Sequence, residues 1–462
     1  MRTVLGTYRP AVQTGAAYLG PGRTVLALGL FRLAIACLFA LTICLSIYLV
    51  KFGVAGLPFR AFTACLILLV AGVAVPGLVY EALKAARPVL LVIAVAAAAG
   101  VTSSLLNGAE VAVIARQILE IHVQAMIATM VGVCVLQICG PRTVLIVLCA
   151  TVGLSAAFAV LQYAKLSIGW DVRVMLQNLQ PPETPGAETS AAFWLTLRIR
   201  ALGLSFSPVI LGSQLCLVFA AMVAYRARTI RFADLGSDPV LIATFLFVCL
   251  GSLASGNRSP ILGSAVMLVV YLMMARPAYG LIGAVLAIPA VLGIDLLMDT
   301  AADTGLRVAQ SNSSSENRAV LRAFGTLLFI DRPWGYGLAF NSVEYAWKYW
   351  PRLMDYDNPQ SILIHALHNY YFVVMNKYGF AALLVFAYVG LVLWHSRVVL
   401  IAWLPYVVHI YFHNDGPLQA DFVIWFILPM FLIFYRQSER AAPSAAPRAR
   451  APLRRPRRLP PA

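Results

Sequence analysis

The hydrophobic pattern of the chain is dominated by long apolar runs. A helix of about 20 apolar residues is long enough to cross the roughly 30 Å hydrocarbon core of a bilayer. Runs that can do so, some with help from flanking residues, lie near 24–50, 57–79, 88–107, 111–138, 143–165, 208–224, 238–255, 260–275, 280–298, 379–395, 398–412 and 421–435. We therefore predict an all-α polytopic integral membrane protein with about twelve transmembrane helices.

The longest polar segment, residues 299–378, lies between two of these runs and contains none of its own. A polar insert of this length is usually functional or disordered. Aromatic side chains give this one enough apolar surface to fold, and they include Trp334, Tyr336, Phe340, Tyr345, Trp347, Tyr349 and Trp350. We predict a large folded loop domain, with its chemistry centred on the histidine near its end, His368.

The same pattern divides the chain into four parts. Residues 1–298 hold the first nine transmembrane helices and a smaller loop near 166–207. Residues 299–378 form the large loop, and residues 379–435 hold the last three helices. Residues 436–462 are rich in Pro, Ala and Arg and cannot build a core, so we predict a disordered basic tail.

Composition agrees with a membrane protein. Hydrophobic residues make up 61% of the chain and charged residues 12%, whereas soluble domains average roughly 25% charged residues. All eight cysteines lie in apolar runs without CxxC spacing, as is typical of small buried hydrophobic side chains. The cysteines therefore predict neither a disulfide framework nor a zinc site.

The basic residues predict the orientation in the membrane. Alternate connections carry them: Arg2, Arg9, Arg23, Lys84, Arg87, Arg142, Arg226, Arg228, Arg231, Arg276, Arg397 and the arginines of the tail. By the positive-inside rule these connections and both termini are cytoplasmic. The segments 166–207, 256–259 and 299–378 then face outward. The tail, which explains much of the net charge of +16, suits a lipid surface better than nucleic acid.

Arginines near the outer surface are candidate ligands for an anion, because a charge in or near the membrane is costly to bury. Arg198 and Arg200 precede the run near 208, and Arg258 lies in a very short outer turn. Each alone can serve as an interfacial anchor. Together, beside the large loop, they favour binding of phosphate or diphosphate, whose oxygens a planar guanidinium holds bidentately.

Gln117, Glu120 and Gln124 form a polar stripe on an otherwise apolar helix, and Arg116 precedes Glu120 by four residues. At this spacing the two side chains can form an ion pair. Alternatively, Arg116 lines the same outer cavity as the other arginines. Both interpretations stay open at this point.

Two histidines, His365 and His368, end the large loop three residues apart. No third metal ligand stands out, so a general acid or base is the better interpretation, since imidazole titrates near neutral pH. Asp355 and Asp357 form a DxD triplet that can hold a divalent ion on a sugar diphosphate. They precede Asn358 and a proline, however, which indicates an ordinary polar turn, and we predict no metal site.

The end of the loop resembles a signature of the bacterial O-antigen ligases and their relatives, the O-antigen polymerases. In that signature a His-Asn pair is followed by nine residues and a glycine, as His368 and Asn369 are followed by Gly379 here. The last position of the signature, Gly, Thr or Tyr in the family, is Ala382.

Three further stretches extend the resemblance. Arg200 begins RALGL, which fits the family's Arg-x-x-x-Leu, although Arg198 begins RIRAL and fits it too. We prefer Arg200, because RALG and the following SP resemble the family's stretch before a span. Arg258 in GNRSP resembles a second outer arginine, and Arg318 with DRPWGYG resembles an arginine followed by a Pro-x-Gly-x-Gly turn.

The resemblance implies a glycosyltransferase with an undecaprenyl-diphosphate-linked glycan as donor. The ligases transfer that glycan to lipid A–core oligosaccharide at the periplasmic face of the bacterial inner membrane, and the reading implies no metal or other cofactor. In this chain His368 would be the general base, and Arg200 and Arg258 would hold the diphosphate. Residues that would support the site are Arg116, Arg318 and Asn369.

Other functions fit the same features. An O-antigen or exopolysaccharide polymerase uses the same kind of donor, and a related transferase places the glycan on protein. A transporter of lipid-linked sugars would instead need a polar path through both leaflets. Mid-membrane charges are few, Asp295 being the clearest, so transport is the less favoured alternative.

Overall fold

A computed structural model shows a chain that is helical through most of the part it describes. The described residues are 21–54, 57–181, 195, 198, 200–280, 313–419, 421–432 and 434. The predicted run near 280–298 with Asp295, the boundary at 298/299 and the tail 436–462 lie outside them.

The first part of the chain, up to residue 181, forms helices joined by short turns. They are α1 (Pro21–Tyr48), α2 (Phe59–Ala74), α3 (Pro76–Leu106), α4 (Val111–Gln117), α5 (Gln124–Ile138), α6 (Pro141–Tyr163) and α7 (Ser167–Asn178). A π-helical turn, Ile118–Val123, joins α4 to α5 into one continuous helix. Between α1 and α2, β1 (Gly53–Val54) pairs antiparallel with β2 (Leu57–Pro58).

The second part contains both apolar helices and the helices of the loop domain. They are α8 (Pro208–Arg226), α9 (Pro239–Ala254), α10 (Ser259–Ala275), α11 (Ser313–Asp331), α12 (Ala346–Leu353), α13 (Ser361–Ile364), α14 (Tyr370–Tyr378), α15 (Phe380–His395), α16 (Arg397–Tyr411) and α17 (Val423–Ile427). Short 3₁₀ turns occur at Phe232–Ser237, Ser342–Tyr345 and Leu428–Phe431.

The apolar helices follow the predicted runs. By length and composition, five described helices can cross a membrane: Ala27–Tyr48, Pro76–Leu106, Val111–Ile138, Pro141–Tyr163 and Pro208–Arg226. Shorter apolar helices of 10–17 residues are Phe59–Ala74, Pro239–Ala254, Ser259–Ala275, Phe380–His395 and Arg397–Tyr411. The structure agrees with the predicted all-α membrane fold, and the number of about twelve spans stays a prediction.

One connection differs from the sequence prediction. The segment with Lys84 and Arg87, expected to link two spans, is part of the 31-residue helix α3. The preceding helix ends at Ala74, because Val75 precedes Pro76 and a residue before proline avoids the helical region. Pro76 then begins α3, where its missing N–H is not needed. The helix is longer than the roughly 20 residues that a span requires.

Helix α8 lies at the centre of the bundle, where almost every residue from Pro208 to Ala224 is buried. It packs against α9 and α16, and α16 also packs tightly against α10. A Cβ on Gly263 of α10 would lie 2.7 Å from the carbonyl oxygen of Pro405 in α16, so a larger side chain would force the two helices apart. This close approach brings the start of α10 next to the end of α16.

The described part of the large loop has a hydrophobic core of its own. The core combines residues of α11, α12, α13 and the connections between them with the start of α14: Val320, Leu321, Phe324, Leu328, Tyr336, Ala346, Tyr349, Leu353, Ile362, Leu367 and Val373. Tyr336 and Tyr349 of the predicted aromatic set are buried there, whereas Trp334 and Trp347 are exposed. A folded loop therefore agrees with the aromatic content of the sequence.

Connections that follow alternate apolar runs touch one another. The backbone N–H of Lys51, after α1, donates to the side chain of Gln180, after α7, at 3.0 Å. The side chain of Asn107, after α3, donates to the carbonyl oxygen of Gly335 in the loop domain at 3.0 Å. Each of these two pairs of segments is therefore in contact, and the orientation of the chain in the membrane stays a prediction.

Candidate active site

A cavity of about 130 Å³ lies where the loop domain meets the end of α16. The residues that line it come from three places in the chain: Arg318, Leu321 and Arg322 of α11, His368 and Asn369 before α14, and Tyr411 and Phe412 at the end of α16. The sequence-predicted residues His368, Asn369 and Arg318 thus share one cavity. Arg200 and Arg258 are not among the residues that line it.

His368 is half-buried, and its ring orientation is set by the backbone. Its Nδ1 lies 2.7 Å from the carbonyl oxygen of Ala366. A carbonyl oxygen only accepts, so Nδ1 carries the proton and, in the neutral ring, Nε2 carries the lone pair. His368 therefore has the tautomer that a base acting through Nε2 needs.

Asn369 explains part of the His-Asn signature structurally. It is the N-cap of α14, and its side-chain oxygen accepts from the backbone N–H of Phe372 at 3.2 Å. Such a cap typically stabilises a helix by about 1 kcal/mol. On the other side of His368, the backbone N–H of Leu367 donates to the hydroxyl of Ser342 at 3.1 Å. The histidine is thus held between a capped helix and a fixed turn.

The glycine of the same signature is needed for a close backbone contact. Gly379 has φ +60° and ψ −145°, a conformation that L side chains rarely adopt. The PWGYG turn packs against it: Phe380 donates its N–H to Pro333 at 2.9 Å, and Gly337 donates to Lys377 at 3.1 Å. A Cβ on Gly379 would lie 2.5 Å from the carbonyl oxygen of Pro333. The two motifs therefore interlock through their glycines.

The cavity is rich in positive charge. Arg318 and Arg322 lie one turn apart on the same face of α11, and neither forms an ion pair with a carboxylate among the described residues. Burial lowers the pKa of Arg318, and the charges of Arg258 and Arg322 lower it further. The Nε of Arg318 is buried and has no hydrogen-bond acceptor in the described part of the chain. An anion in the cavity would supply one.

Arg200 lies against the turn that carries Arg258. Its Nε donates to the carbonyl oxygen of Ser255 at 3.2 Å, and one terminal nitrogen donates to that of Gly256 at 3.1 Å and to the side chain of Asn257. Arg200 thus contacts the three residues that precede Arg258, and a diphosphate held by both arginines stays a prediction. Because Arg258 is also within electrostatic range of Arg318, the three guanidinium groups belong to one region.

Two other predicted residues lie apart from this region. Arg198 is exposed, with its guanidinium 5.8 Å from the ring centroid of Trp170. Arg116 pairs with Glu120 at 2.7 Å, and its side chain is 75% exposed. Neither lines the cavity, so the paired interpretation of Arg116 describes the structure better than the cavity one.

The candidate metal ligands are placed as follows. The rings of His365 and His368 are edge-to-face, with centroids 5.8 Å apart, and Asp355 and Asp357 are exposed. Within the described residues, no three His, Cys, Asp or Glu side chains are grouped so that they could hold a metal ion.

Sequence reasoning missed several residues of the site. Arg322 follows Arg318 by four positions, a spacing that could have indicated it. Tyr411, whose hydroxyl accepts from Arg322 at 3.3 Å, carries no signal in the sequence. Nor do Ser259 and His413, which lie beside the arginines and hydrogen bond to each other at 2.9 Å.

Comparison with known proteins agrees with the motif resemblance. Residues 243–387 match the profile of a family described as O-antigen ligase. No curated protein matches the chain. The matched segment includes Arg258, Arg318, His368, Asn369 and Gly379. The chain therefore carries a segment of the O-antigen ligase family, a superfamily of membrane enzymes of glycan transfer that includes ligases and polymerases, and the resemblance seen in its motifs is confirmed there.

Proposed function

We propose that the protein is an O-antigen ligase, which transfers a glycan from undecaprenyl diphosphate to lipid A–core oligosaccharide. The single observation that carries the proposal is the shared cavity of His368, Arg318 and Arg322 within the family-matched segment. A base with its lone pair on Nε2 lies there beside fixed positive charge, which is what displacement of a diphosphate requires.

The proposed reaction is a single displacement with inversion. Nε2 of His368 takes the proton of the acceptor hydroxyl, and the oxygen attacks the anomeric carbon of the donor. The bond from that carbon to the diphosphate breaks, and the electron pair leaves with the lipid-linked diphosphate. Arg258 and Arg318 stabilise the negative charge that grows on this leaving group. Arg200 adds positive charge and holds the turn of Arg258 through its bonds to residues 255–257. No metal ion is required in this scheme.

The proposal places this site on the periplasmic face of the inner membrane, with both termini cytoplasmic. Since the native cysteines lie in apolar runs, a cysteine in place of the exposed Asp357 would be a suitable reporter. A membrane-impermeant thiol reagent should label it in spheroplasts. Labelling only after the inner membrane is opened would reverse the orientation.

The function is tested by measuring glycan transfer from a lipid-linked donor to lipid A–core oligosaccharide with purified protein. His368→Ala should slow transfer by about 10²–10⁴-fold, the usual contribution of a general base. His395→Ala is the matched control, since His395 is an exposed histidine at the end of α15. Turnover by the His368 variant equal to that of the control would reject the base. Loss of wild-type activity in chelator would reject the metal-free scheme and reopen Asp355 and Asp357.

The polymerase alternative uses the same chemistry and differs only in the acceptor. A deletion strain separates the two: loss of all capped lipopolysaccharide with lipid-linked polymer still present identifies a ligase. Core bearing a single repeat unit identifies a polymerase. A transporter would move the donor across vesicles without forming a glycosidic bond.

A further inference from the structure

An exposed tryptophan lies where the loop domain meets the ends of two apolar helices. The side chain of Trp334 is 67% exposed, but its backbone is fixed. Its carbonyl oxygen accepts from the hydroxyl of Ser103, near the end of α3, at 2.5 Å. The neighbouring Pro333 accepts from the N–H of Phe380, the first residue of α15, at 2.9 Å. The indole is therefore held beside the end of α3 and the start of α15.

Three aromatic rings join the loop domain to the start of α15. The ring of Phe380 packs edge-to-face against Trp334 and against Phe329 of α11, in each case with the centroids 5.7 Å apart. Ile330, which follows Phe329, is exposed, as are Phe380 and the last residue of α3, Leu106. We call the exposed side chains of Leu106, Ile330, Trp334 and Phe380 the apolar edge.

Helix α15 is shorter than the hydrocarbon core of a bilayer. It is apolar, and Ala382 is its only buried residue, so nearly the whole helix needs an apolar covering. Its 16 residues span about 24 Å at a rise of about 1.5 Å per residue, whereas the hydrocarbon core is about 30 Å thick. A span formed by α15 alone therefore lacks about 6 Å of apolar surface. The apolar edge supplies such surface, because Trp334 packs directly against the first residue of α15.

The charged residues beside the apolar edge indicate the depth at which it would lie. Arg332, between Ile330 and Trp334 in the chain, is exposed and hydrogen bonds to the side chain of Asn107. A charged group is costly in hydrocarbon but not among lipid headgroups. Tryptophan is typical of the membrane–water interface, where its ring is in apolar and its N–H in polar surroundings. The apolar edge therefore suits the headgroup boundary and not the centre of the bilayer.

We propose that the apolar edge inserts into the lipid at the headgroup boundary and thereby anchors the loop domain to the bilayer surface. The anchoring does not depend on the reaction, but it fixes the distance from the lipid to the cavity. Arg322, Thr326 and Ile330 are exposed at successive turns of α11, and Arg322 lines the cavity. Ile330 follows Arg322 by eight positions, which is about 12 Å along a helix. The cavity is thus within reach of a headgroup whose lipid tail stays in the bilayer.

The test locates the Trp334 ring by fluorine NMR. The full-length protein, which has eight tryptophans, is labelled with fluorotryptophan and placed in nanodiscs, and Trp334→Phe and Trp403→Phe assign two of the resonances. A nitroxide on the upper part of the lipid acyl chain should remove most of the Trp334 signal, whereas a water-soluble gadolinium chelate should broaden it less. Trp403 is the control: it is buried in α16, so its signal should lose less intensity to the lipid nitroxide.

A second reporter does not need the native indole. In the Trp334→Phe background, Ile330→Trp moves the label to the neighbouring exposed position of α11, and its signal should also be lost to the lipid nitroxide. Either reporter rejects the proposal if the gadolinium chelate broadens its signal more than the lipid nitroxide does, since the edge would then face water. The proposal is also rejected if neither reagent affects the reporter more than Trp403. Protein, such as a second copy of the chain, would then cover the edge.

Discussion

Replacing the signature glycine tests how the site is held together. Gly379→Ala places a methyl group 2.3 Å from the carbonyl carbon of Trp334 and 2.5 Å from the carbonyl oxygen of Pro333, whereas ordinary contacts begin near 3.4 Å. The backbones must therefore separate by about 1.1 Å at the closest contact, the difference between 3.4 Å and 2.3 Å. The hydrogen bonds at stake include Tyr336 to Asn376 at 2.6 Å and Phe380 to Pro333 at 2.9 Å.

The expected loss in the free energy of unfolding has two contributions. An unfavourable backbone conformation costs about 1–3 kcal/mol, and weakening one or two hydrogen bonds costs about 1 kcal/mol each, which gives about 2–5 kcal/mol. We expect a lower melting temperature in detergent and a larger loss of transfer activity, because the distorted corner ends the helix that begins beside His368.

The control for this change is Gly390→Ala in α15. No atom lies within 4 Å of a Cβ added at Gly390, and Ala in a helix interior is favoured over Gly by about 0.5–1 kcal/mol. The control should therefore melt at or above the wild-type temperature. Equal melting temperatures for Gly379→Ala and Gly390→Ala would show that the two motifs do not interlock as described.

Two further predictions concern charge. Arg200→Lys should reduce transfer at least about tenfold, because an ammonium cannot replace the guanidinium fork, whereas Arg198→Lys should stay near wild type; the reverse ranking in the same assay would select Arg198. Hydrogen bonds from Lys348 and then Tyr349 lower the pKa of Asp331, so its stabilising effect is present above the unfolded pKa of about 3.9 and disappears as pH falls through the folded value. Melting temperature measured from pH 7 to pH 3 should therefore fall less for Asp331→Asn than for the wild type, and parallel curves would contradict this.

The helices could be predicted because a bilayer allows few alternatives. Backbone groups in hydrocarbon must be satisfied within the segment, so a long apolar run becomes a helix. The start of α3 at Pro76 was not predicted, because the charges of Lys84 and Arg87 indicated a connection between two spans. A helix can extend beyond its apolar run, and the hydrophobic pattern does not show how far. The hydrophobic pattern shows which runs are long enough to match the thickness of a bilayer. It does not show which of the shorter runs actually cross.

The grouping of some candidate residues could be predicted where they lie in short motifs. His368, Asn369 and Arg318 lie in one cavity, as their signatures indicated. The bridge from Ser259 to His413 joins residues 154 positions apart, and no local pattern encodes such a contact. Sequence spacing likewise left Arg116 open, because the i, i+4 pair with Glu120 and a place in the cavity are equally compatible with it.

An arginine elsewhere in the chain is paired with a carboxylate, and the contrast with the cavity arginines supports anion binding in the cavity. Arg226 near the end of α8 is matched by Asp238, whose carboxylate is buried and accepts from Arg226 at 2.5 Å. That is how a structural arginine is stabilised: a carboxylate of the chain satisfies it permanently. Arg318 and Arg322 have no such partner among the described residues, although like charges one helical turn apart repel each other. Their charge is thus available to a group that arrives and leaves, as the diphosphate of a lipid-linked donor does.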